Sequence, residues 1–292
     1  MIKNSSKGKS VIIGLGKTGL SVAKYLASKN VDFKILDTRI EPPKYDELRS
    51  LFPDIEIEAG ELNRKTVLEA KELIVSPGVA IKTPIITEAK NRGIPVRGDI
   101  DIFSKSVRSP IVAVTGSNGK STVVAILAKI LEKAGKNYGL GGNLDGENFK
   151  PALDLLREEK KEIYVLELSS FQLETTENLG AEVAVILNLT ADHMDRYGSL
   201  EEYHQAKLRI FNGCKQLVIN RDDIYSYPTS EMDAPTWDFG FGRPTINGLG
   251  LLEEEDDQYL AFQFEKIISI NELKVFGQHN ISNVLAAIGL AI

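Results

Sequence analysis

The sequence predicts an α/β protein whose sheets are rich in parallel strands. Short apolar runs alternate with segments of helical spacing, and this alternation recurs in both halves of the 292-residue chain. Strands that alternate with helices form parallel sheets with helices on their faces. The length suggests two domains, and the pattern loosens near residues 97–110. We therefore expect one domain at residues 1–98 and a second at residues 99–292.

The composition narrows the class of protein. The chain is 42% hydrophobic and carries a formal net charge of −6, which suits a packed soluble protein and argues against a nucleic-acid partner. Its one cysteine, Cys214, cannot form an internal disulfide, which fits a cytoplasmic location. The start is polar, and no apolar run approaches the ~20 residues of a membrane span. We expect no membrane partner.

The first glycine-rich turn joins the first predicted strand to a predicted helix at residues 20–29. Gly14, Gly16 and Gly19 have the G-x-G-x-x-G spacing, and Asp37 ends the second predicted strand. In dinucleotide-binding folds, such glycines admit a pyrophosphate and the acid takes a ribose hydroxyl. We expect a Rossmann-like domain with a nucleotide-sized anion site. NAD, FAD, another nucleotide and a turn without a ligand all remain open.

A second glycine-rich loop, residues 115–122, lies between an apolar run and a predicted helix. The backbone N–H groups of such a loop and the helix dipole attract an anion. Lys120 adds a positive charge for terminal phosphates, and Ser121 or Thr122 adds a hydroxyl for Mg²⁺. Val114 stands where the common pattern has its first glycine. We expect a P-loop-type domain that binds a nucleoside triphosphate.

Polar side chains follow two further predicted strands of the second domain. The predicted strands are residues 163–166, 183–187 and 216–219, with a strand pair at residues 260–275. Glu167 follows the first of them, and His193 follows the second beside Asp192. Because parallel sheets place ligands at the carboxyl ends of their strands, Glu167 is a candidate to hold Mg²⁺ with Ser121. Glu167 could equally start a helix, and Ser169 could cap one.

Four side chains on predicted helices are ambiguous from sequence alone. His204 and Lys207 lie in a charged helix at residues 200–211, which predicts that both are exposed. Asn280 and Asn283 are one turn apart and share a face of the final helix. Their amides could read an adenine edge or cap the helix.

Four motifs in this order resemble the Mur ligases of bacterial cell-wall synthesis. They are GSNGKST at residues 116–122, ELSSFQL at 167–173, DHMDRY at 192–197 and GQHN at 277–280. The resemblance covers the whole chain. It implies a Rossmann-like amino-terminal domain, an ATP-binding central domain and a third, carboxy-terminal domain that is missing here. The apolar stretch at residues 284–292 stops without a cap, and we expect more protein beyond it.

Within this family, the motifs favour the branch that joins D-glutamate to UDP-N-acetylmuramoyl-L-alanine. The resemblance implies that ATP phosphorylates the substrate carboxylate and that the D-glutamate amine attacks the acyl phosphate. It implies a cytoplasmic enzyme of peptidoglycan precursor synthesis, which we expect to be a monomer. Without the third domain, we expect this chain to bind the uridine substrate but to ligate poorly or not at all.

The resemblance also implies roles for residues by their position. Those implied to be catalytic are Lys120, Glu167, His193 and Lys207. Those implied to bind ATP are Gly116, Ser117, Asn118, Gly119, Lys120, Ser121, Thr122, Asn280 and Asn283. Those implied to bind the uridine substrate are Lys17, Thr18, Asp37, Thr38, Arg39, Gly78, Asn143 and Ser169. Those implied to hold two Mg²⁺ ions are Ser121 with Glu167, and His193 with Lys207.

The resemblance changes the interpretation of Lys207, because the family lysine at this position carries a carbamate. An unmodified lysine has a pKa near ~10.4 and is a cation, whereas Mg²⁺ takes oxygen ligands. Carbamylation replaces the cation with an anionic oxygen ligand. Two alternatives from other classes stay open. One is an NAD-dependent oxidoreductase that uses only the first glycine turn, and the other is a nucleotide-binding module without ligase chemistry.

Overall fold

The computed structural model describes residues 8–143, 150–255 and 257–292, and it confirms the predicted α/β class. The chain forms two compact units. The first extends to Val107 and includes two returning segments, Pro151–Glu159 and Glu174–Glu177, and the second holds the remaining residues. The domain boundary at residue 98 stays a prediction.

The first unit contains a five-stranded sheet in which all neighbouring strands are parallel. Its strands are β1 (Ser10–Ile13), β2 (Phe33–Asp37), β3 (Ile57–Ala59), β4 (Glu72–Val75) and β5 (Val96–Arg97). Its main helices are α1 (Lys17–Ser28), α2 (Tyr45–Leu51), α3 (Arg64–Leu68), α4 (Pro84–Asn91) and α5 (Asp99–Ser106). The order β3-β2-β1-β4-β5 is that of a Rossmann-like sheet, in which ligands bind where the strand order reverses.

The second unit contains a nine-stranded sheet in the order β14-β13-β12-β11-β10-β9-β6-β8-β7. Its parallel strands are β6 (Ile111–Thr115), β7 (Tyr138–Gly142), β8 (Ile163–Glu167), β9 (Val183–Ile186), β10 (Leu217–Asn220), β11 (Thr236–Phe239) and β12 (Gly248–Glu254). Its antiparallel extension is β13 (Asp257–Phe262) and β14 (Glu265–Ser269).

The remaining helices are α6 (Lys120–Lys133), α7 (Ala152–Leu155), α8 (Ser170–Glu174), α9 (Leu200–Leu208) and α10 (Gln278–Gly289). Strand β6 is buried along its whole length, and helices α6 and α10 pack together against the sheet. This packing fixes the loop between β6 and α6 on a rigid support.

The predicted strand pair at residues 260–275 is wrong in its extent. The antiparallel region is a three-stranded meander that begins with β12 at Gly248. Glycines at positions 248 and 250 and acids at 253 and 254 weaken the apolar pattern of this strand. None of the helices within the described ranges is long and apolar enough to cross a membrane.

Candidate functional site

The loop between β6 and α6 has a backbone that requires glycine at both ends. Gly116 and Gly119 have φ of +153° and +84°, and side chains rarely adopt such angles. A Cβ at Gly116 would lie 3.0 Å from the Cβ of Leu187, and one at Gly119 would collide with Oδ1 of Asn283. Gly119 precedes α6 and has no side chain to cap it, so the helix begins with the kind of uncapped N–H groups that bind anions.

Lys120 folds back over this loop. Its ammonium donates to the carbonyl oxygens of Gly116 at 2.9 Å and Ser117 at 3.0 Å. Burial lowers the pKa of Lys120, while the charges of Glu167 and Asp192 oppose that shift. The ammonium therefore lies where terminal phosphates would meet the loop amides.

Glu167, Ser121 and Asn143 meet at the carboxyl edge of the sheet. The Ser121 hydroxyl donates to Oε2 of Glu167 at 2.7 Å, and Nδ2 of Asn143 donates to Oε1 at 3.3 Å. Glu167 ends β8 and is buried. A Cβ on Gly142, where φ is +102°, would collide with the Glu167 carbonyl oxygen. The glycine that precedes Asn143 thus lets β7 bring this amide to the carboxylate.

Lys207 is buried, although its charged helix predicts exposure. The side chain lies on the inward face of α9, one turn after Tyr203, with its ammonium 4.7 Å from the centre of that ring. It donates to Oγ1 of Thr115 at 3.2 Å and to the Gly116 carbonyl at 3.0 Å. Burial, followed by the charge of Lys120, lowers the pKa of Lys207 to about 7. Two lysines thus share the Gly116 carbonyl oxygen.

The prediction that His204 is exposed is also wrong. Its side chain is buried, and the ring lies 5.4 Å from that of Tyr225. Both errors have one cause. The short helix α9 turns its Tyr203, His204 and Lys207 side chains inward, a tertiary effect that charge content along the sequence does not report.

His193 lies in a left-handed backbone conformation, with φ of +54°. Its amide donates to Oδ1 of Asp192 at 2.8 Å, and its Nε2 lies 3.4 Å from Oδ2 of the same residue. The imidazole lies 4.8 Å from the centre of the Phe171 ring and 6.3 Å from that of Tyr203. The Tyr203 ring therefore lies beside both His193 and Lys207, the two residues that the family resemblance implies hold one metal ion.

The two asparagines of α10 are linked to each other. Nδ2 of Asn283 donates to Oδ1 of Asn280 at 3.2 Å, and Nδ2 of Asn280 donates to the Phe276 carbonyl at 2.8 Å. Asn283 is buried against Gly119 of the loop. This contact holds the start of α10 beside the start of α6.

Ser169 has a partner within its own turn. Its hydroxyl accepts from the Gln172 amide at 3.2 Å, and Oε1 of Gln172 accepts from the Ser169 amide at 3.2 Å. This reciprocal pair matches the helix-cap alternative for Ser169. It leaves a contact with substrate untested.

In the first unit, the backbone at the two ends of the glycine turn after β1 comes into close contact. A Cβ on Gly19 would collide with the Gly14 carbonyl oxygen, which also accepts from the Ser76 hydroxyl at 2.8 Å. Asp37, at the end of β2, is buried and accepts from the Leu15 amide at 2.6 Å. The acid and the turn are therefore joined directly.

Arg39 binds the same carboxylate. Its Nε donates to Oδ1 of Asp37 at 2.8 Å and its Nη2 donates to Oδ2 at 2.6 Å. Burial raises the pKa of Asp37, but the bonds from Arg39 and the Leu15 amide outweigh it and lower the pKa overall.

The other predicted substrate residues of this unit follow the carboxyl ends of its strands. Lys17 and Thr18 open α1 after β1, Thr38 follows β2, and Gly78 follows β4. Lys17, Thr38 and Gly78 are exposed, and Thr18 is half-buried. Strand order thus brings residues from β1, β2 and β4 to one edge of the sheet.

Two protein families match this chain. Residues 114–291 match the family described as Mur ligase middle domain, and residues 8–98 match the family described as Mur ligase MurD-like, N-terminal domain.

Relatives of known name are similar over most of the chain. UDP-N-acetylmuramoylalanine–D-glutamate ligase of Pseudomonas savastanoi pv. phaseolicola is 48% identical over 280 residues, and that of Pseudomonas aeruginosa is 46% identical over 280 residues. Each alignment covers 96% of this chain and 61% of the relative. The chain thus spans about three-fifths of the length of these relatives.

A solved structure supports the fold. UDP-N-acetylmuramate:L-alanyl-gamma-D-glutamyl-meso-diaminopimelate ligase from Neisseria meningitides aligns with a TM-score of 0.63 at 20% identity. The alignment covers 97% of this chain and 93% of that one.

Proposed function

We propose, from the premise that the chain belongs to the Mur ligase family, that it is the substrate- and ATP-binding part of a D-glutamate-adding ligase. The reaction would join D-glutamate to UDP-N-acetylmuramoyl-L-alanine with hydrolysis of ATP. The names and 46–48% identity of the relatives support this assignment. Because the chain spans only part of their length, the activity, the substrates, the monomeric state and the cytoplasmic location are all proposals.

One observation carries the proposal for ATP. The Ser121 hydroxyl and the Glu167 carboxylate are 2.7 Å apart at the start of α6, and the Lys120 ammonium lies over the preceding loop. The loop amides and Lys120 would bind the β- and γ-phosphates, and Asn280 and Asn283 would contact the nucleotide beside them. Phosphoryl transfer depends mainly on such positioning and on neutralisation of charge.

The residues at this edge fit a first Mg²⁺ ion. Hydroxyl and carboxylate oxygens are the donors that Mg²⁺ prefers, and Ser121 and Glu167 already lie together. These two residues would hold the ion, with Asn143 orienting the carboxylate through its 3.3 Å bond. A bound Mg²⁺ supplies charge neutralisation between the phosphate oxygens.

A second ion beside His193 and Lys207 requires the carbamate. The ammonium of Lys207 is no ligand for a cation, but its burial favours the neutral amine, whose pKa falls to about 7. The neutral nitrogen would attack the carbon of CO₂, form an N–C bond and lose one proton. The resulting carbamate anion would remove one of the two like charges at the Gly116 carbonyl and supply oxygen ligands.

The chemical step would then use the chain's own groups for orientation. The terminal carboxylate of the substrate would attack the γ-phosphorus of ATP and form an O–P bond as ADP leaves, while Lys120 would stabilise charge on the transferred phosphoryl group. The D-glutamate amine would then attack the acyl carbon and form a C–N bond, as inorganic phosphate leaves and the amine loses a proton.

The first unit would bind the uridine end of the substrate. Its candidates are Lys17, Thr18, Asp37, Thr38, Arg39 and Gly78, while Asn143 and Ser169 would meet the substrate in the second unit. The alternative of an NAD-dependent oxidoreductase leaves the second glycine loop without a role.

Thermal unfolding with separate ligands tests the proposal. UDP-N-acetylmuramoyl-L-alanine and Mg²⁺-ATP should each raise the melting temperature, because a ligand at about 100 times its Kd stabilises by ~2.7 kcal/mol. NAD should have no effect. Stabilisation by NAD alone would favour the oxidoreductase. In a protein extended to the length of the relatives, binding of both ligands without phosphate release in the presence of D-glutamate would favour the binding module.

A further inference from the structure

The loop between β6 and α6, residues 116–119, is bonded to the segment that follows β9. The Ser117 amide donates to the Asn188 carbonyl at 3.0 Å, and the Asn118 amide donates to Oδ1 of Asn188 at 2.9 Å. Nδ2 of Asn188 donates in return to the Asn118 carbonyl at 3.1 Å. The side-chain amide of Asn188 thus pairs with both backbone polar groups of Asn118, as the backbone of a neighbouring strand would.

Lys120 completes the bonding of this stretch of backbone. The Ser117 carbonyl accepts from the Lys120 ammonium at 3.0 Å, so the N–H and C=O groups of Ser117 and Asn118 all have partners within the protein. These bonds fix two successive peptides immediately before Gly119, which has φ of +84° and precedes α6. The entry of the chain into α6, and hence the direction of the first helix amides, therefore depends on how Asn118 is held.

Asn188 is itself fixed from its two neighbours along the chain. On one side, the Leu187 carbonyl accepts from Nδ2 of Asn220 at 2.8 Å. On the other, the Leu189 amide donates to Oδ2 of Asp223 at 2.8 Å. Both leucines are buried, and their polar partners lie at the end of β10 and just after it. The backbone that carries Asn188 is thus tied to the sheet, which lets its side chain hold the loop rather than move with it.

A second connection joins the same two segments. The Ser117 hydroxyl donates to the Thr190 carbonyl at 3.0 Å and accepts from the Thr190 amide at 3.0 Å. Successive residues of the loop, Ser117 and Asn118, are therefore each bonded through a side chain to the segment after β9. Only in the connection through Asn188 does that side chain lie outside the loop, so it can be removed without a change in the residues of the loop itself.

We propose that Asn188 is a positioning residue for nucleotide binding, whose side chain holds the Asn118 peptide so that the loop has its ligand-binding shape before the nucleotide arrives. That the ligand is a nucleoside triphosphate rests on the proposed function. Without this side chain, the backbone of Asn118 gains conformational freedom, which binding must then remove. The entropy cost of that ordering lowers the affinity, although Asn188 itself makes no contact with the nucleotide.

Calorimetric titration of the chain with Mg²⁺-ATP tests this role. Asn188→Ala should weaken binding about 5- to 30-fold, which is the cost of ordering the backbone of one residue. Asn63→Ala removes a comparable bond from an asparagine side chain to a backbone amide, at the start of α3 in the first unit, and should leave the ATP affinity unchanged. An Asn188→Ala affinity within about twofold of the parent would overturn the inference.

Hydrogen exchange of the backbone amides, measured by NMR without ligand, separates positioning from direct contact. In Asn188→Ala, the Asn118 amide should exchange at least about tenfold faster, because it loses its acceptor. The Ser117 amide, which is bonded to the backbone carbonyl of residue 188, should change by less than about twofold. Weaker ATP binding with unchanged exchange at Asn118 would mean that Asn188 contacts the ligand. Equal acceleration of both amides would mean a general loss of stability, and either result overturns the positioning role.

Asn188→Ser is the second variant if Asn188→Ala fails to fold. Serine keeps a polar group but is shorter and carries one polar atom where the amide has two. The affinity for Mg²⁺-ATP should fall at least about threefold with little change in melting temperature, and an unchanged affinity would contradict the proposal. Failure of the parent chain to bind Mg²⁺-ATP refutes the proposed function and the inference together. Binding by the parent that is equally tight in the folded variants refutes the inference alone.

Discussion

The two glycine turns of this chain share a design but differ in how each neighbouring acid is paired. Beside the glycine turn that follows β1, Asp37 accepts hydrogen bonds from the cation Arg39 and from a backbone amide. Beside the glycine loop that follows β6, the hydrogen bonds to Glu167 come from the neutral side chains of Ser121 and Asn143. The first acid is paired with a cation inside its own unit, whereas the bonds to the second come from neutral side chains.

The lysines of the second turn strengthen the contrast. Lys120 and Lys207 donate to loop carbonyls and a hydroxyl rather than to carboxylates. A site whose acid is bonded by neutral side chains, and whose amines are bonded by oxygens of the loop, suits Mg²⁺ and phosphate. A site with a fixed guanidinium suits a ligand that offers acceptor oxygens. Similar glycine spacing thus predicts an anion site in both turns but not the same chemistry.

The largest effect on stability should come from a substitution that disrupts the first glycine turn. Gly19→Ala places a Cβ against the Gly14 carbonyl oxygen, and neither backbone segment can move freely, so we expect a loss of about 3 kcal/mol or more in unfolding free energy. UDP binding should be lost while Mg²⁺-ATP binding persists. Gly16→Ala, with nothing within 4 Å of its added Cβ, is the matched control for stability by chemical denaturation.

Gly119→Ala should have a somewhat smaller effect on the second turn. The added Cβ would meet Oδ1 of Asn283, and we expect a cost of about 1–3 kcal/mol from backbone strain and this contact. At Gly135, φ is +68° but nothing lies within 4 Å of an added Cβ. Gly135→Ala therefore measures the cost of backbone strain without a new side-chain contact. If Gly119→Ala unfolds at the same denaturant concentration as Gly135→Ala, the contact with Asn283 is unimportant.

The burial of Lys207 predicts a dependence of stability on pH. The folded pKa near 7 lies below the ~10.4 of an unfolded lysine, so the unfolded state holds more protons between these pH values. The parent should therefore gain about 1 kcal/mol per pH unit over Lys207→Met between pH 7.5 and 9.5. Denaturation of both proteins across this range measures the difference.

Lys129→Met is the control, because that ammonium is exposed on α6. Its difference from the parent should stay constant with pH over the same range. A constant difference for Lys207→Met as well would mean that the amine is protonated throughout.

The smallest effects should come from removal of two serine hydroxyls, one at a time, and the two variants should differ in what they change. Ser76→Ala removes a buried bond to the Gly14 carbonyl and should cost about 1 kcal/mol of stability without changing ATP affinity. Ser121→Ala should leave stability within ~0.5 kcal/mol but raise the Mg²⁺ concentration needed for ATP binding. Equal Mg²⁺ dependence in the two variants would argue against a metal at Ser121.

The predictable parts of this molecule are those that local sequence determines. Strand β6, the glycine loop and helix α6 follow one another as apolar run, turn and apolar helix, so their order was readable. The inward position of Lys207 was not readable from spacing, because it depends on how α9 packs; only the family resemblance singled this residue out.

The partner of Asp37 was missed for a different reason. Arg39 is only two residues away and was itself a candidate, so the signal was present in the sequence. Spacing alone cannot tell whether two neighbouring polar residues contact a ligand separately or bind one another. Strand β12, the first strand of the antiparallel meander, was not predicted because its glycines and acids interrupt the apolar pattern.

The most direct test of two chemically distinct nucleotide sites is calorimetric titration of the chain and two variants with UDP and with Mg²⁺-ATP. We predict that Arg39→Met loses UDP binding but keeps ATP binding, and that Lys120→Ala shows the reverse. Loss of both ligands in either correctly folded variant, or failure of the parent to bind either ligand, would contradict this account.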